Sequence, residues 1–299
     1  MEVRKKSFVA RSFLVGFAAL ATGSAVHTGT TNAPPRGALV WAVHLSETRG
    51  PFRVANLSPL GQAASSEILG GPTNGSDAAY LIYTRMAAGT HGPAMFTLPV
   101  DHLYLVLSGK MNVQLGTDKF VAGPDTGVFV PAGVPHEVWN AGAELEAHIE
   151  VIAPAPSRDL MSMLKPAEPR RIENADQYVR PAKPLGTLKE GLNSQPLAAR
   201  ANGSRNQMRI DNVMTGSSGP KPHIHAFEQV YFVKEGTQTL VYGLNTYKVP
   251  ANSFVIIPPG VVHTNRNEGP GVERHATFLL PEPEQQPFDI EVELKGAVR

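Results

Sequence analysis

The sequence predicts an all-β fold, one β-rich unit built twice and joined by a partly helical linker. Three observations predict it. Displaced on itself by 127 residues, the chain matches without gaps: Gly92-Pro93 meets Gly219-Pro220, Tyr104 meets Tyr231, and Gly109 meets Gly236. In a second block, Pro131, Gly133, His136 and Asn140 meet Pro258, Gly260, His263 and Asn267. A match at one fixed period means one supersecondary unit built twice. The 28 glycines and 26 prolines punctuate short apolar runs, as in strands joined by turns. At 299 residues and 42% hydrophobic, the chain can bury two cores of ordinary domain size.

In chain order, residues 1–25 read as an export signal. Arg4, Lys5, Lys6 and Arg11 form a positive head, Phe13 to Ala21 an apolar run, and Gly23-Ser24-Ala25 a small-residue cleavage site. The run is too short for a comfortable membrane span. Around Arg11 the stretch resembles a twin-arginine signal with one arginine lost, so the general export route is at least as good a reading. The competing reading is a basic disordered N-terminus or an uncleaved anchor. The mature chain is therefore expected to be periplasmic or secreted, without a stable membrane span. Residues 26–36 read as a linker, Ala38 to His44 as a β-like run, and Gly50 to Gly75 as short apolar pieces broken by Gly, Pro and Ser.

The first domain, 26–156, holds predicted strands at Ala79–Thr84, His102–Leu107, Met111–Leu115, Gly127–Val130, His136–Asn140 and Leu145–Ile152. Residues 157–190 are the linker. Arg158 to Leu164 has helical spacing, with Leu160, Met163 and Leu164 apolar, and Pro166 to Pro184 is charged and extended. The second domain, 191–299, repeats the strands at Met208–Asp211, Gln229–Lys234, Thr237–Tyr242, Ser253–Ile257, His263–Asn267 and Glu273–Leu280. In each Pro-x-Gly turn proline fixes φ and glycine permits positive φ, which sets the register of the following histidine. Tyr104, Tyr231, His148 and His275 recur in both copies and read as core. Arg85 and Arg209 read as exterior arginines, the alternative being a pocket arginine that grips a carboxylate.

Composition excludes several classes. Without cysteine there are no disulfides, zinc knuckles or thiol nucleophiles. Removing 1–25 leaves 23 basic against 25 acidic residues, and no basic stripe remains, so nucleic acid is not an expected partner.

The chemistry gathers in Gly219-Pro-Lys-Pro-His-Ile-His-Ala-Phe-Glu-Gln229. His223 and His225 are two apart, so on a strand they share a face, and Gln229 has the same parity. His263 arrives from the Pro258-Pro-Gly block. If the two stretches face each other, three imidazoles and one oxygen donor converge, a donor set suited to Zn, Cu, Fe, Ni or Mn. Phe227 is a candidate pocket wall.

Gly219 to Gly236 resembles the first motif of the cupin family, and Pro258 to Asn267 its second. The resemblance implies two tandem cupin (double-stranded β-helix, or jelly-roll) barrels, a bicupin. It further implies one divalent transition metal, Fe, Mn, Ni, Cu or Zn, held by His223, His225, Gln229 and His263. Where the family usually carries Glu, this chain has Gln229 with Glu228 beside it. Glu228 is thus an alternative ligand, an outer partner or a general base, and strand parity favours Gln229 as the ligand. In the first copy Phe96, Leu98, Asp101 and His102 replace His223, His225, Glu228 and Gln229. Only His102 and His136 survive as potential ligands, with His91 outside the pattern, so barrel 1 is expected to be metal-free.

The family's repertoire runs from ring dioxygenases, oxalate-type decarboxylases and sugar isomerases to storage and binding proteins, and fold does not choose among them. The expected function is a metal-dependent oxygenase acting on a small organic molecule at the C-terminal barrel, with Glu228 as proton acceptor. The alternatives are a non-catalytic periplasmic protein that binds a metal and a small ligand, and a non-redox isomerase or lyase. Barrel 1 lacks the His-x-His pair that oxalate decarboxylases carry in both barrels. The resemblance also admits a homodimer.

Overall fold

The computed structural model describes residues 52–53, 65–71, 76–155, 160–185 and 190–293. The expected export signal, the 26–36 linker and the Ala38–His44 run lie outside the described residues.

Each copy folds as two facing antiparallel sheets. In barrel 1 the larger sheet runs in the order Val179–Pro181, Thr126–Val130, Asp101–Ser108, Glu146–Ala153, Tyr80–Met86, Ser65–Gly70. The smaller runs Lys165–Pro166, Phe96–Thr97, His136–Trp139, Met111–Leu115, Asp118–Ala122. Barrel 2 repeats the plan. Its larger sheet runs Phe52–Arg53, Ser253–Ile257, Glu228–Glu235, Glu273–Leu280, Gln207–Val213, Leu192–Ala198, and its smaller Asn245–Pro250, Thr237–Tyr242, His263–Arg266, His223–Ile224, Ile290–Glu291.

The central strands match the sequence expectation to within about two residues. The missed strands are those whose side chains give little alternation. Asp118–Ala122 and Asn245–Pro250 are edge strands with mostly exposed or half-buried residues, and polarity of that kind blunts an edge against further pairing. The division into domains also differs from 26–156, 157–190 and 191–299. Phe52–Arg53 pairs with Ser253–Phe254, so this N-terminal piece extends the sheet of barrel 2. The linker adds Lys165–Pro166 and Val179–Pro181 to barrel 1. The expected linker helix is a single 3-10 turn, Leu160–Met163.

The two larger sheets pack against each other through their outer faces, and one continuous core spans both barrels. Its members are 127-residue equivalents of one another: Leu81 and Met208, Leu105 and Phe232, Phe129 and Ile256, Val151 and Phe278. Strand alternation explains this, because the residues between them point into the barrels instead. Polar clamps flank the apolar contact. Lys234 and Arg274 of barrel 2 both reach Asp125 of barrel 1. Asp101 of barrel 1 accepts the Arg205 amide at 3.2 Å, and Glu228 of barrel 2 accepts the Ser76 hydroxyl at 2.5 Å.

Candidate metal centre

Two strand pieces bring the imidazoles together. His223 lies directly opposite His263 in the antiparallel register. The Pro-x-Gly turn sets the other contact: Gly260, at φ 79°, donates its amide to the carbonyl of His225 at 2.9 Å. That conformation suits glycine, and the bond ties the second block to the first. A close approach completes the frame. A Cβ on Gly219 would come within 2.1 Å of the Asn265 side chain, so only glycine fits where its amide bonds the Asn265 carbonyl.

The triad is buried: His223, His225 and His263 are 3%, 2% and 0% exposed. One ring nitrogen from each lies within 4.8 Å of the others, the only such group of three or more His or acidic side chains among the described residues. All three rings carry the same hydrogen bond. Nδ1–H of His223 donates to the Lys221 carbonyl at 2.7 Å, that of His225 to Phe227 at 2.7 Å, and that of His263 to Val261 at 2.9 Å. A neutral imidazole with its proton on Nδ1 keeps a lone pair on Nε2. Three lone pairs therefore face one another, and the His263 Nε2 has no hydrogen-bond partner despite complete burial. An unmet buried acceptor costs about 1–3 kcal/mol, and a cation among the three rings would satisfy it. Burial, and the neighbouring imidazoles, hold His263 well below the usual histidine pKa; burial likewise lowers His225. Neutral imidazoles are the form that binds a metal.

Gln229 reaches the triad at His225. Its Oε1 is 2.8 Å from the His225 Nε2. The contact is of hydrogen-bond length and ties the Gln229 amide to the His225 ring. Phe227 stacks on the His225 ring, 4.0 Å between centroids at 5°, which supports the expectation of a wall.

Glu228 is not brought to the site, and this corrects the expectation that it acts as proton acceptor there. It is next to Gln229 on a strand, so it points to the opposite face. It pairs with Leu280 of the inter-barrel core and receives the Ser76 hydroxyl. Burial raises its pKa to about 7 against the lowering effect of Ser76 and nearby amides. Asp101, its equivalent, is turned toward barrel 2 in the same way.

In barrel 1 the surviving histidines are paired with each other. His102 Nδ1 is 3.1 Å from His136 Nε2, and His102 Nε2 is 3.0 Å from Glu150. Glu150 also takes the Thr84 hydroxyl at 2.5 Å and lies 3.4 Å from His148 Nε2. Phe96 packs on His136, and Leu98 is buried beside it in an apolar cluster. His91 stays outside, stacked on Trp139. His148 and His275 each bond the glutamate two residues earlier, at 2.9 and 3.0 Å.

Sequence reasoning missed three features. Asn140 and Asn267 both lock the turn after the second block, each donating to two carbonyls and accepting one amide at equivalent positions. Their recurrence at the repeat spacing was the available signal. Arg209 faces the barrel interior, bound to Asp211 at 2.9 Å and Gln207 at 2.9 Å, which corrects the exterior reading. Asp289 lies 3.5 Å from the His223 Nε2. An open depression of about 570 Å³ on barrel 1, lined in part by Lys119, Arg171, Glu173 and Asp176, shares no residue with the triad.

A family model described as Cupin domain matches residues 82–153 and 210–274, one stretch in each barrel. Sequence comparison with curated proteins finds no match. Several solved structures share the fold. A putative glyoxylate-induced protein from Pseudomonas aeruginosa is 13% identical with TM-score 0.55, over 79% of this chain and 84% of that one. An oxalate decarboxylase variant from Bacillus subtilis is 10% identical with TM-score 0.54, over 77% and 74%. A salicylate 1,2-dioxygenase variant from Pseudoaminobacter salicylatoxidans, in complex with gentisate, is 12% identical with TM-score 0.57, over 75% and 76%.

Proposed function

Because this chain is a bicupin with one converging set of imidazoles, we propose that it is a metal-dependent oxygenase acting on a small organic molecule at barrel 2. The observation that carries this reading is that His223, His225 and His263 each engage a backbone carbonyl through Nδ1 while one ring nitrogen from each lies within 4.8 Å of the others. A divalent transition metal held there would supply Lewis acidity and, for a redox metal, dioxygen activation. His223, His225 and His263 would be its imidazole ligands and Gln229 its neutral oxygen donor. A neutral donor leaves the cation more positive than a carboxylate at that position would. Phe227 and Phe288, edge to face at 5.5 Å, form an apolar wall beside the His225 ring. The likeness to a dioxygenase determined with gentisate makes small aromatic acids the first substrates to screen.

The test is elemental analysis of the purified chain, followed by oxygen uptake with a panel of aromatic and aliphatic hydroxy acids. Iron, manganese or copper at about one per chain, with substrate-dependent oxygen uptake, supports the reading. Zinc or nickel without uptake would replace it with isomerase or lyase chemistry. No metal after offering each ion would leave a ligand-binding protein. Export is part of the proposal, and N-terminal sequencing of the mature protein tests it: a start near residue 26 supports export, and an intact Met1 in the cytoplasmic fraction sinks it.

A further inference from the structure

The C-terminal segment of the described chain runs across the triad. Glu291 pairs with His223 and Ile290 with Ile224. Val292 donates its amide to the Pro222 carbonyl at 2.8 Å, and Phe288 packs on Phe227. Asp289 is the residue just before this paired stretch. Its Oδ1 is buried, has no hydrogen-bond partner, and lies 3.5 Å from the His223 Nε2.

Barrel 1 provides the comparison. There Pro166 pairs with Phe96 and Lys165 with Thr97, so Leu164 holds the position just before the paired stretch that Asp289 holds in barrel 2. Leu160, Met163 and Leu164 join Phe96 and Leu98 in one apolar cluster. Where the two ligand positions are apolar, the crossing segment is apolar. Where they are histidines, it delivers a carboxylate.

We propose that Asp289 is the carboxylate of the metal centre, delivered by the C-terminal strap and not by a barrel strand. It rests on the reading of the triad as a metal site. Its role is to place negative charge beside the His223 Nε2, within the 4–6 Å range over which opposite charges act strongly, and so to balance a cation that Gln229 leaves uncompensated. Asp289 is thus a positioning residue for the metal.

Titration of the metal-free full-length chain with Co²⁺, followed by visible absorption, tests this. D289N should bind Co²⁺ about 10–100-fold more weakly than the native chain, as loss of an outer partner does, with an altered absorption band. D289E should restore affinity to within a few-fold, and E228Q should bind as the native chain does. Asp289→Ala decides in the same way if D289N does not fold. Native affinity and an unchanged band in D289N or Asp289→Ala would overturn the proposal while leaving the triad reading intact. A native chain that binds no Co²⁺ would overturn both.

Discussion

In barrel 1, Phe96, Leu98 and His102 stand where barrel 2 has His223, His225 and Gln229, and the two remaining imidazoles turn to each other and to Glu150. In barrel 2 the imidazoles have no acidic strand residue between them, and the His263 Nε2 is left unmet. A buried hydroxyl–carboxylate bond shows how close the two frames are. Thr84 donates to Glu150 in barrel 1, and Thr277 donates to Asp211 in barrel 2, both at 2.5 Å. These are the same two positions with donor and acceptor exchanged. The longer acid of barrel 1 reaches His102, whereas Asp211 is held by Arg209. One frame therefore supports either a closed proton-sharing network or an open ligand set. A handful of inward positions decides which, because every buried polar group must find a partner or a cation.

The comparison breaks most visibly at the metal. His263→Ala should lower bound metal by at least about tenfold, and His136→Ala should leave it unchanged, as read by elemental analysis. Equal loss in both variants would put barrel 1 into the metal site. The next largest effect tests what the barrels share. Phe278→Ala should destabilise the chain by about 3–5 kcal/mol in urea unfolding, because Phe278 sits in the core common to both barrels. A much smaller loss would mean that the barrels are stable independently.

A pH series sharpens the contrast further. Burial would depress His148, but Glu146 and Glu150 beside it raise its pKa to about 10 from 6.5. A raised folded pKa favours the protonated form, so this contribution is complete below pH 6.5 and is lost as pH climbs toward 10. His148→Gln should flatten that part of the stability profile; an unchanged profile would deny the charged pair. The smallest effect concerns Glu228. Its pKa of about 7 in the fold, above the ordinary 4.5, means that stability is lost as pH rises from 4.5 to 7. Glu228→Gln should remove that loss, change stability at pH 5 by no more than about 1 kcal/mol, and leave metal content as it was. A fall in metal content would return Glu228 to the site.

The repeat made the barrels legible, and with them His223, His225, Gln229 and His263, because strand parity and turn chemistry are local properties. What stayed hidden was non-local. Glu228 is next to a site residue in sequence, yet its side chain faces Ser76, and only the packing of two sheets explains why an acid is kept there. Asp289 lies 60 residues or more from each histidine before it except His263 and His275, in a stretch without alternation. Its approach to His223 exists only through a register set by two residues, Ile290 and Glu291. The exchange of Phe52–Arg53 onto barrel 2 likewise depends on which sheet edge is free, and no spacing reports that.

The inter-barrel core carries one more consequence. Because equivalent positions from both copies meet there, each half presents nearly the same face that it receives, the condition for a self-complementary contact about a two-fold axis. A second barrel produced alone would expose a surface already shaped for its own kind. It should pair with another copy of itself, and such an assembly would hold two triads where the intact chain holds one.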